Sequence, residues 1–439
     1  MRKEREKNIC NLLDKANFEN GSLRVLVIGT DRNLFKAGSA VRERIVEYGK
    51  LFNQLHIIIF TKRFQKFESE KISENVWIYP TKSWSRLCYP FGAVRVAKRE
   101  FGKLLPKMID VISAQDPFET GVAGWLIARK FRLPLQIQIH TDFLSPYFWK
   151  ESFLNKIRVI VGKFLVKRAD CIRVVSERIK NSMLQPTTYN LQPNPSRLQP
   201  TTHNSFEPEG SQSLNGLPPS VIVLPIFVDI KKIKNTPAHF DLRKKYPQFS
   251  FIIMMASRLE KEKNINLAIE MMKDLARSYP KIGMVIVGDG KEKKNLENLV
   301  AKHNLQKSII FEGWQNDLIS YYKTANVFLS TSLYEGYGLT IIEALACGCP
   351  VVSSDVGIVS EFIVEGENGF VCPVGDIDCF TKRIQEIMEM PGLKERLGIN
   401  SKMLISEKLI ATKEEYLSKY KQAMEECLKA TCDVALRRD

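Results

Sequence analysis

Short apolar runs alternate with longer stretches of helical period along this chain, and the alternation occurs twice. The first series is LRVLVIGT (residues 23–30), HIIIF (56–60), DVISAQD (110–116), LPLQIQIH (133–140) and DCIRVVS (170–176). Segments such as GSAVRERIVEYGKLF and FETGVAGWLIARKF lie between them. An apolar run ending in polar or glycine residues suits a strand buried on both faces, and a helix after each strand returns the chain as a right-handed βαβ unit. The second series is FSFIIMMAS (249–257), IGMVIVGDG (282–290), SIIFEGW (308–314), ANVFLST (325–331) and CPVVSSD (349–355). The expected fold class is therefore α/β, with two Rossmann-like domains in tandem. Ligands of open α/β sheets bind beyond the carboxyl ends of the strands, so the two domains are expected to face one another across a cleft.

A length of 439 residues suits two cores rather than one. An extension at 1–22 precedes a first domain at 23–228 and a second at 229–412. Near the boundary, LQPTTYN, LQPNPSR and LQPTTHN repeat in tandem over 184–204. A proline in every repeat excludes the helix that a seven-residue period otherwise suggests, and Pro, Thr, Asn and Gln bury too little apolar area to offset chain entropy. Residues 184–219 are expected to form a mobile insert on the surface.

Composition removes several classes. An apolar share of 44% and an aromatic share of 10% suit a globular enzyme rather than a disordered chain. No apolar run approaches the ~20 residues that span a bilayer. The opening residues MRKEREKNICNLLDK lack the apolar centre of a secretory signal, so a cytoplasmic location is expected. Nine cysteines are scattered, and Cys347 with Cys349 has no second pair at zinc spacing, so reduced, structural cysteines are expected. The net charge of +16 is uneven, because residues 81–168 hold 16 Lys or Arg against 6 Asp or Glu. There the cations are interleaved with aromatic and aliphatic residues, as in WSRLCYPFGAVRVAKREFGKLLPKM and FLSPYFWKESFLNKIRVIVGKFLVKRAD. That mixture suits an anionic membrane surface, and it also fits a solvated basic face or a nucleic-acid surface.

The candidate chemistry follows strands. After FSFIIMMAS come Arg258 and Lys263, two cations that can neutralise a diphosphate leaving group. After ANVFLST comes LYEGYGLTIIEALACGCP, in which Glu335 lies on a loop and Glu343 about one turn into a helix. Gly336 and Gly338 allow a close backbone approach, and the first helix amides offer donors to an anion. The helix dipole is expected to favour the ionised form of Glu343. GYGLTI lacks the third glycine of a dinucleotide fingerprint.

In this order and spacing, Arg258 with Lys263, VGDG after the next strand, and Glu335 with Glu343 resemble the retaining GT-B-fold glycosyltransferases of glycosyltransferase family 4 (group 1). The likeness runs from about residue 24 to 430 outside the insert. It is most specific over 251–375, through EGYGLTIIEALACGCPVVSSDVG and ENGFVCPVGD. The resemblance implies transfer of a sugar from a nucleotide-diphosphate sugar, with retention, to a lipid-linked or glycan acceptor in cell-envelope polysaccharide or glycolipid synthesis. Arg258 and Lys263 would hold the diphosphate, Glu343 the ribose hydroxyls and Glu335 the transferred sugar. Backbone groups of Gly336, Tyr337, Gly338, Leu339 and Thr340 would complete the pocket, and Gly38 would approach the phosphates. His140 would stand at the reaction centre, with Gln115, Asp116 and Asp142 on the acceptor side. The helix at 413–430 would return to the first domain.

The chain departs from the family at Gly38-Ser39, where Gly-Gly is common, at Ser257 and Asn264, where Gly is common, and at VLPIFVD between the domains. It is read as lacking a D-x-D motif, so no metal and no cofactor beyond the donor are expected. The expected partners are the nucleotide sugar, the acceptor and an anionic membrane surface on the inner face of the cell membrane, not nucleic acid. Two rivals remain: a glycoside hydrolase with Glu335 and Glu343 as its carboxylates, and a nucleic-acid-binding protein using the basic half. The first leaves Arg258 and Lys263 without a role.

Overall fold

The computed structural model describes residues 23–184, 220–410 and 412–436. The expected N-terminal extension and, apart from Leu184, the tandem-repeat insert lie outside the described residues.

In the first domain β1 (Arg24–Gly29), β2 (Gln54–Ile59), β3 (Glu70–Ser73), β4 (Val76–Pro80), β5 (Val111–Ala114), β6 (Leu135–Ile139), β7 (Cys171–Val174) and β8 (Val221–Val223) form one sheet. Its order is β3-β4-β2-β1-β5-β6-β7-β8, parallel except where β3 meets β4. In the second domain β9 (Phe251–Ala256), β10 (Ile282–Val287), β11 (Ile309–Gly313), β12 (Val327–Ser330), β13 (Val351–Ser354) and β14 (Gly369–Cys372) form a parallel sheet of order β11-β10-β9-β12-β13-β14. Every strand expected from the apolar runs is present. Of those the pattern missed, three lie at sheet edges: β3 is polar and half-exposed, β8 has three residues, and β14 begins on a glycine; the fourth, β4, is buried between β3 and β2.

Each sheet reverses its winding once. In the first domain the chain builds outward from β1 through β2 to β4, then restarts at β5 on the other side of β1. In the second it builds from β9 to β11 and restarts at β12 beside β9. At such a reversal the two loops leaving adjacent strands diverge to opposite faces and open a crevice.

Helices α1 (Ala40–Gly49), α2 (Tyr89–Phe101), α3 (Glu119–Phe131), α4 (Pro146–Glu151) and α5 (Phe153–Val166) join the strands of the first domain. Ser39 caps α1 by accepting from the Arg42 amide. Helices α2, α3 and α5 bury Val96, Ile127 and Val159 in one core with Leu26, Ile28 and Ile112 of the sheet. In the second domain α6 (Ile265–Ser278) buries Ile265, Ala268, Ile269, Met272 and Leu275, a 3.6-residue stripe. Helix α7 (Leu339–Cys347) runs between Gly338 at φ 101° and Gly348 at φ 75°, and α8 (Ile377–Glu389) follows β14.

The last helix, α9 (Lys413–Leu436), crosses back to the first domain. Its Tyr416, Tyr420, Met424 and Leu428 pack on Val25, Val27, Leu55 and Ile57, the sheet face that α2, α3 and α5 leave open. This crossing also corrects the expectation of reduced cysteines. Cys171 of β7 is disulfide-bonded to Cys427 of α9, with Cα atoms 5.3 Å apart, and Cys372 is bonded to Cys379 of α8. A sequence separation of 256 residues hides the first pairing from any spacing rule. Among the described residues Cys88, Cys347 and Cys349 are free.

The domains also meet directly. Arg178 pairs with Asp355, donates to Ser360 Oγ at 2.9 Å, and its amide donates to Glu361 at 3.2 Å. Phe148 packs edge-on against Tyr334 with ring centres 5.5 Å apart. Because Met424 is fully buried against the first sheet, Met424→Ala should lower unfolding free energy by about 2–5 kcal/mol. Urea unfolding checks this, and an unchanged midpoint would show that α9 is not part of the first domain's cooperative unit.

Candidate functional site

Each reversal of winding carries one half of the site. In the second domain β9 leads into Ser257–Asn264 and β12 into Thr331–Gly338, and hydrogen bonds join these two loops. Thr331 Oγ1 donates to the carbonyls of Lys263 and Asn264, each at 3.0 Å, and the Leu333 amide donates to Glu262 O at 2.8 Å. Lys263 Nζ therefore reaches Glu335 Oε1 at 2.6 Å, and Ser332 Oγ donates to the same oxygen at 2.9 Å. Two residues 72 positions apart become one pair.

Arg258 is not beside Lys263. Its side chain is 67% exposed and pairs with Glu262 at 3.0 Å, free to swing toward a ligand. The VGDG loop lies beneath it. A Cβ on Gly288 would stand 1.8 Å from Ser257 O, and one on Gly290 would stand 2.3 Å from Leu259 O, so these glycines permit the backbone contact. Next to Arg258, Ser257 Oγ is buried without a hydrogen-bond partner.

Gly336 closes the cleft. A Cβ there would stand 1.7 Å from His140 O, at the carboxyl end of β6, so the two domains touch backbone to backbone. This brings His140, Glu335 and Lys263 into one place. Of the loop residues expected to line the pocket, Leu339 is exposed and Gly336, Gly338 and Thr340 are partly so. Tyr337 is buried, its carbonyl accepting from Ile358 at 3.1 Å, so only its backbone borders the loop.

Glu343 sits inside α7 and is mostly buried. Tyr322 OH donates to its Oε2 at 3.1 Å. Burial pushes the Glu343 carboxyl above its ordinary range, outweighing the Tyr322 bond that pulls the other way. This corrects the expectation that the helix dipole would decide its ionisation: desolvation is the larger effect.

In the first domain a cavity of about 380 Å³ opens between the loops after β1 and β5, at the reversal point. Gln115, Asp116 and His140 line it, as the strand-end rule anticipates, together with Asp31, Arg44 and Phe118. Asp116 spends its Oδ1 on the amides of Phe118 (2.7 Å) and Thr120 (3.2 Å), and burial raises its pKa. Asp142 is buried and is not among the residues lining this cavity. Gly38, at φ 71°, lies in open space on the loop between β1 and α1. Asp31 and Arg44 were not legible as site residues, because only the packing of α1 turns Arg44 into the cavity.

The His140 side chain borders this cavity and is exposed to it. Desolvation by the walls beside the ring, with the Arg173 charge second, lowers its pKa. His140 is therefore neutral at physiological pH.

Asp376-Ile377-Asp378 does have D-x-D form, which corrects the reading that the chain lacks one. It belongs to the start of α8, where Asp376 caps the helix by accepting from Cys379 N at 3.0 Å. Among the described residues no group of three or more His, Cys, Asp or Glu side chains gathers as a metal site.

Comparison with known proteins places a family on each domain. Glycosyl transferases group 1 match residues 241–403, and Glycosyltransferase Family 4 matches residues 47–201. The alpha-monoglucosyldiacylglycerol synthase of Acholeplasma laidlawii is 25% identical over 334 residues, which cover 73% of this chain and 76% of that one. The UDP-Gal:alpha-D-GlcNAc-diphosphoundecaprenol alpha-1,3-galactosyltransferase of Escherichia coli is 30% identical over 178 residues, 39% of this chain and 46% of that one. Among solved structures, Anabaena HepE (Alr3699) in complex with UDP-glucose superposes with a TM-score of 0.66 at 20% identity, over 93% of this chain and all of that one. These matches lend no support to a hydrolase or a nucleic-acid-binding protein.

The raised Glu343 carboxyl generates a pH signature. Ribose hydroxyls would donate to its ionised form, so affinity for a nucleoside diphosphate should fall as pH drops through the raised pKa. Calorimetry from pH 8 downward checks this, and Glu343→Gln should bind more weakly with a flatter profile.

Proposed function

Because this chain belongs to the group 1, family 4 glycosyltransferases of GT-B fold, we propose that it transfers a sugar from a nucleoside-diphosphate sugar to a lipid-linked or glycan acceptor, with retention and without a metal ion. Glycosyltransferase activity on nucleotide sugars comes with the family; the stereochemistry, residue roles and acceptor are our reading. The observation that carries it is the Lys263–Glu335 pair at the second domain's reversal point, with His140 of the first domain one residue away across Gly336.

In this reading the diphosphate takes Lys263 from Glu335 and Arg258 from Glu262, so two cations meet the charge that develops on the leaving group. Glu335, released, accepts from hydroxyls of the sugar. Glu343 keeps Tyr322 and takes the ribose. The bond from the anomeric carbon to the diphosphate oxygen breaks with both electrons going to that oxygen. The acceptor oxygen bonds to the same face of the carbon, and its proton passes to the departing phosphate oxygen. The acceptor enters through the first-domain cavity, where Gln115, Asp116 and Asp31 offer acceptors to hydroxyls.

A membrane-borne acceptor is supported by one surface. Helix α5 exposes Phe153 (77%), Ile160 and Phe164 among Lys156, Lys163 and Lys167, while Trp84, Leu87 (85%) and Phe91 are exposed at the start of α2. Both helices lie in the same layer over the sheet. Apolar groups that dip into a bilayer beside cations that hold anionic head groups suit peripheral binding at the inner face of the cell membrane. No helix among the described residues is long and apolar enough to cross a membrane. Nucleic acid has no place in this reading.

Incubation with radiolabelled nucleotide sugars and a membrane lipid extract tests the activity. Arg258→Ala and Lys263→Ala should each lower turnover by ~100-fold or more with the fold retained. Wild-type rates in both would remove the phosphate clamp. On the membrane side, liposomes with anionic lipid should bind the protein and release it at high salt, and Phe153→Ser with Ile160→Ser should weaken that binding. Equal indifference to anionic and neutral liposomes would favour a soluble glycan acceptor.

A further inference from the structure

Beneath His140 runs a chain of buried side chains whose hydrogen bonds have a fixed direction. We propose that Gln138, Ser113 and Arg173 are positioning residues that hold His140 as its Nε2–H tautomer and so present a bare Nδ1 to a substrate hydroxyl in the cleft. The proposal rests on the transferase reading for the identity of that hydroxyl.

The chain starts in the sequence. Strand β6 reads Leu-Gln-Ile-Gln-Ile before His140, and the two-residue period puts Gln136, Gln138 and His140 on one face. Both glutamines are buried and must be satisfied by other groups. Gln136 Nε2 lies 3.1 Å from the carbonyl oxygen of Ala423 on α9, and a carbonyl can only accept. Gln136 Oε1 then accepts from Ser113 Oγ at 3.0 Å, and Ser113 Oγ accepts from Gln138 Nε2 at 2.8 Å. Gln138 Oε1 is left facing His140 Nε2 at 3.1 Å.

The far end gives the same answer independently. Arg173 NH1 lies 3.1 Å from Gln138 Oε1, and a guanidinium can only donate. An amide flip of Gln138 is excluded from both sides. An amide oxygen cannot donate, so the proton of the His140–Gln138 bond belongs to Nε2. Nδ1 makes no hydrogen bond among the described residues, and the ring borders the first-domain cavity.

Arg173 is held by the final helix. Its NH2 donates to Tyr416 OH at 3.2 Å, and its guanidinium stands 4.9 Å from the centre of the Tyr420 ring. It has no carboxylate at ion-pair distance among the described residues, so its charge disfavours a second proton on the imidazole. The other charged groups around the ring are Asp31, Arg44 and Asp116 of the same cavity, and Lys263 with Glu335 on the far side of Gly336. A neutral Nδ1 accepts from a hydroxyl, whereas an imidazolium would repel the clamp cations and could only donate.

The test uses the full chain labelled with ¹⁵N-histidine, with the His140 signals assigned by their loss in His140→Asn. Wild type should show a protonated Nε2 and a bare Nδ1, and this does not depend on activity. Gln138→Leu should mix the tautomers and lower kcat/KM roughly tenfold, with nucleoside-diphosphate affinity unchanged. Arg173→Met should raise the imidazole pKa, so an acid limb enters the pH–kcat/KM profile. Gln138→Glu should shift that limb further toward neutrality, because a carboxylate there favours imidazolium. A wild-type spectrum with the proton on Nδ1 would overturn the proposal, as would folded Gln138→Leu and Arg173→Met proteins with wild-type spectra and pH profiles. If those variants fail to fold, Ser113→Ala should shift the tautomers in the same direction, and no shift overturns the proposal. Absent transfer by wild type with the stated tautomer present would instead remove the transferase reading alone.

Discussion

The contact of the Gly336 backbone with the carbonyl of His140 is the constraint from which the rest of the site follows. A first side-chain carbon at 336 would stand 1.7 Å from that oxygen, far inside van der Waals contact, so the loop after β12 and the end of β6 can meet only through glycine. Other contacts hold the same closure from the flanks. Arg178 bonds across to Asp355, Ser360 and Glu361, and Phe148 packs on Tyr334. Helix α9 crosses back to the first domain and packs on its sheet. With the domains so held, residues from both reversal points face a single cleft.

Inside that cleft the cations are already partnered. Lys263 and Glu335 are largely shielded from solvent, at 13% and 18% side-chain exposure, and a shielded pair of this kind contributes little net stability because desolvation offsets the attraction. Replacing Glu335 by a phosphate oxygen on Lys263 therefore costs little. Arg258 with Glu262 and Glu343 with Tyr322 repeat the arrangement, each charged group held by a protein partner that a ligand can replace or join. In the proposed transfer, the carboxylates keep the loops in place until a substrate's anions and hydroxyls take over their partners.

On the first domain the polar groups are arranged differently. Gln136, Gln138, Ser113 and Arg173 are buried and bond to one another or to α9, with Arg173 Nε left unpaired among the described residues. In surroundings of low dielectric such a network is costly when broken and rigid when complete. It ends at His140, so packing of the last helix and orientation of a cleft side chain are linked by hydrogen bonds rather than by proximity alone. On the outer side, α4 touches the cleft through Phe148, and α5 continues from it with the apolar and basic surface.

Sequence by itself determined the class of fold, because apolar runs and helical periods are local and survive in any packing of two parallel sheets. It also singled out Arg258, Lys263, Glu335 and His140 as candidates, because they stand at or just beyond strand ends where ligands of such sheets lie, and Glu343 as a candidate one turn into the following helix. The polar alternation in LPLQIQIH was visible too, but what satisfies it was not. Ala423, Tyr416 and Tyr420 lie more than 240 residues downstream of Arg173 or Gln136. Only tertiary structure decided that pairing, the Cys171–Cys427 bond, and which cation meets which carboxylate. The same holds for ionisation: a dipole could be inferred for Glu343 from its place in a helix, whereas the stronger effect, removal from water, depends on what packs around it. Local pattern fixes where a residue stands along its own element; its partners and its solvation depend on chain segments that sequence separation leaves unrelated.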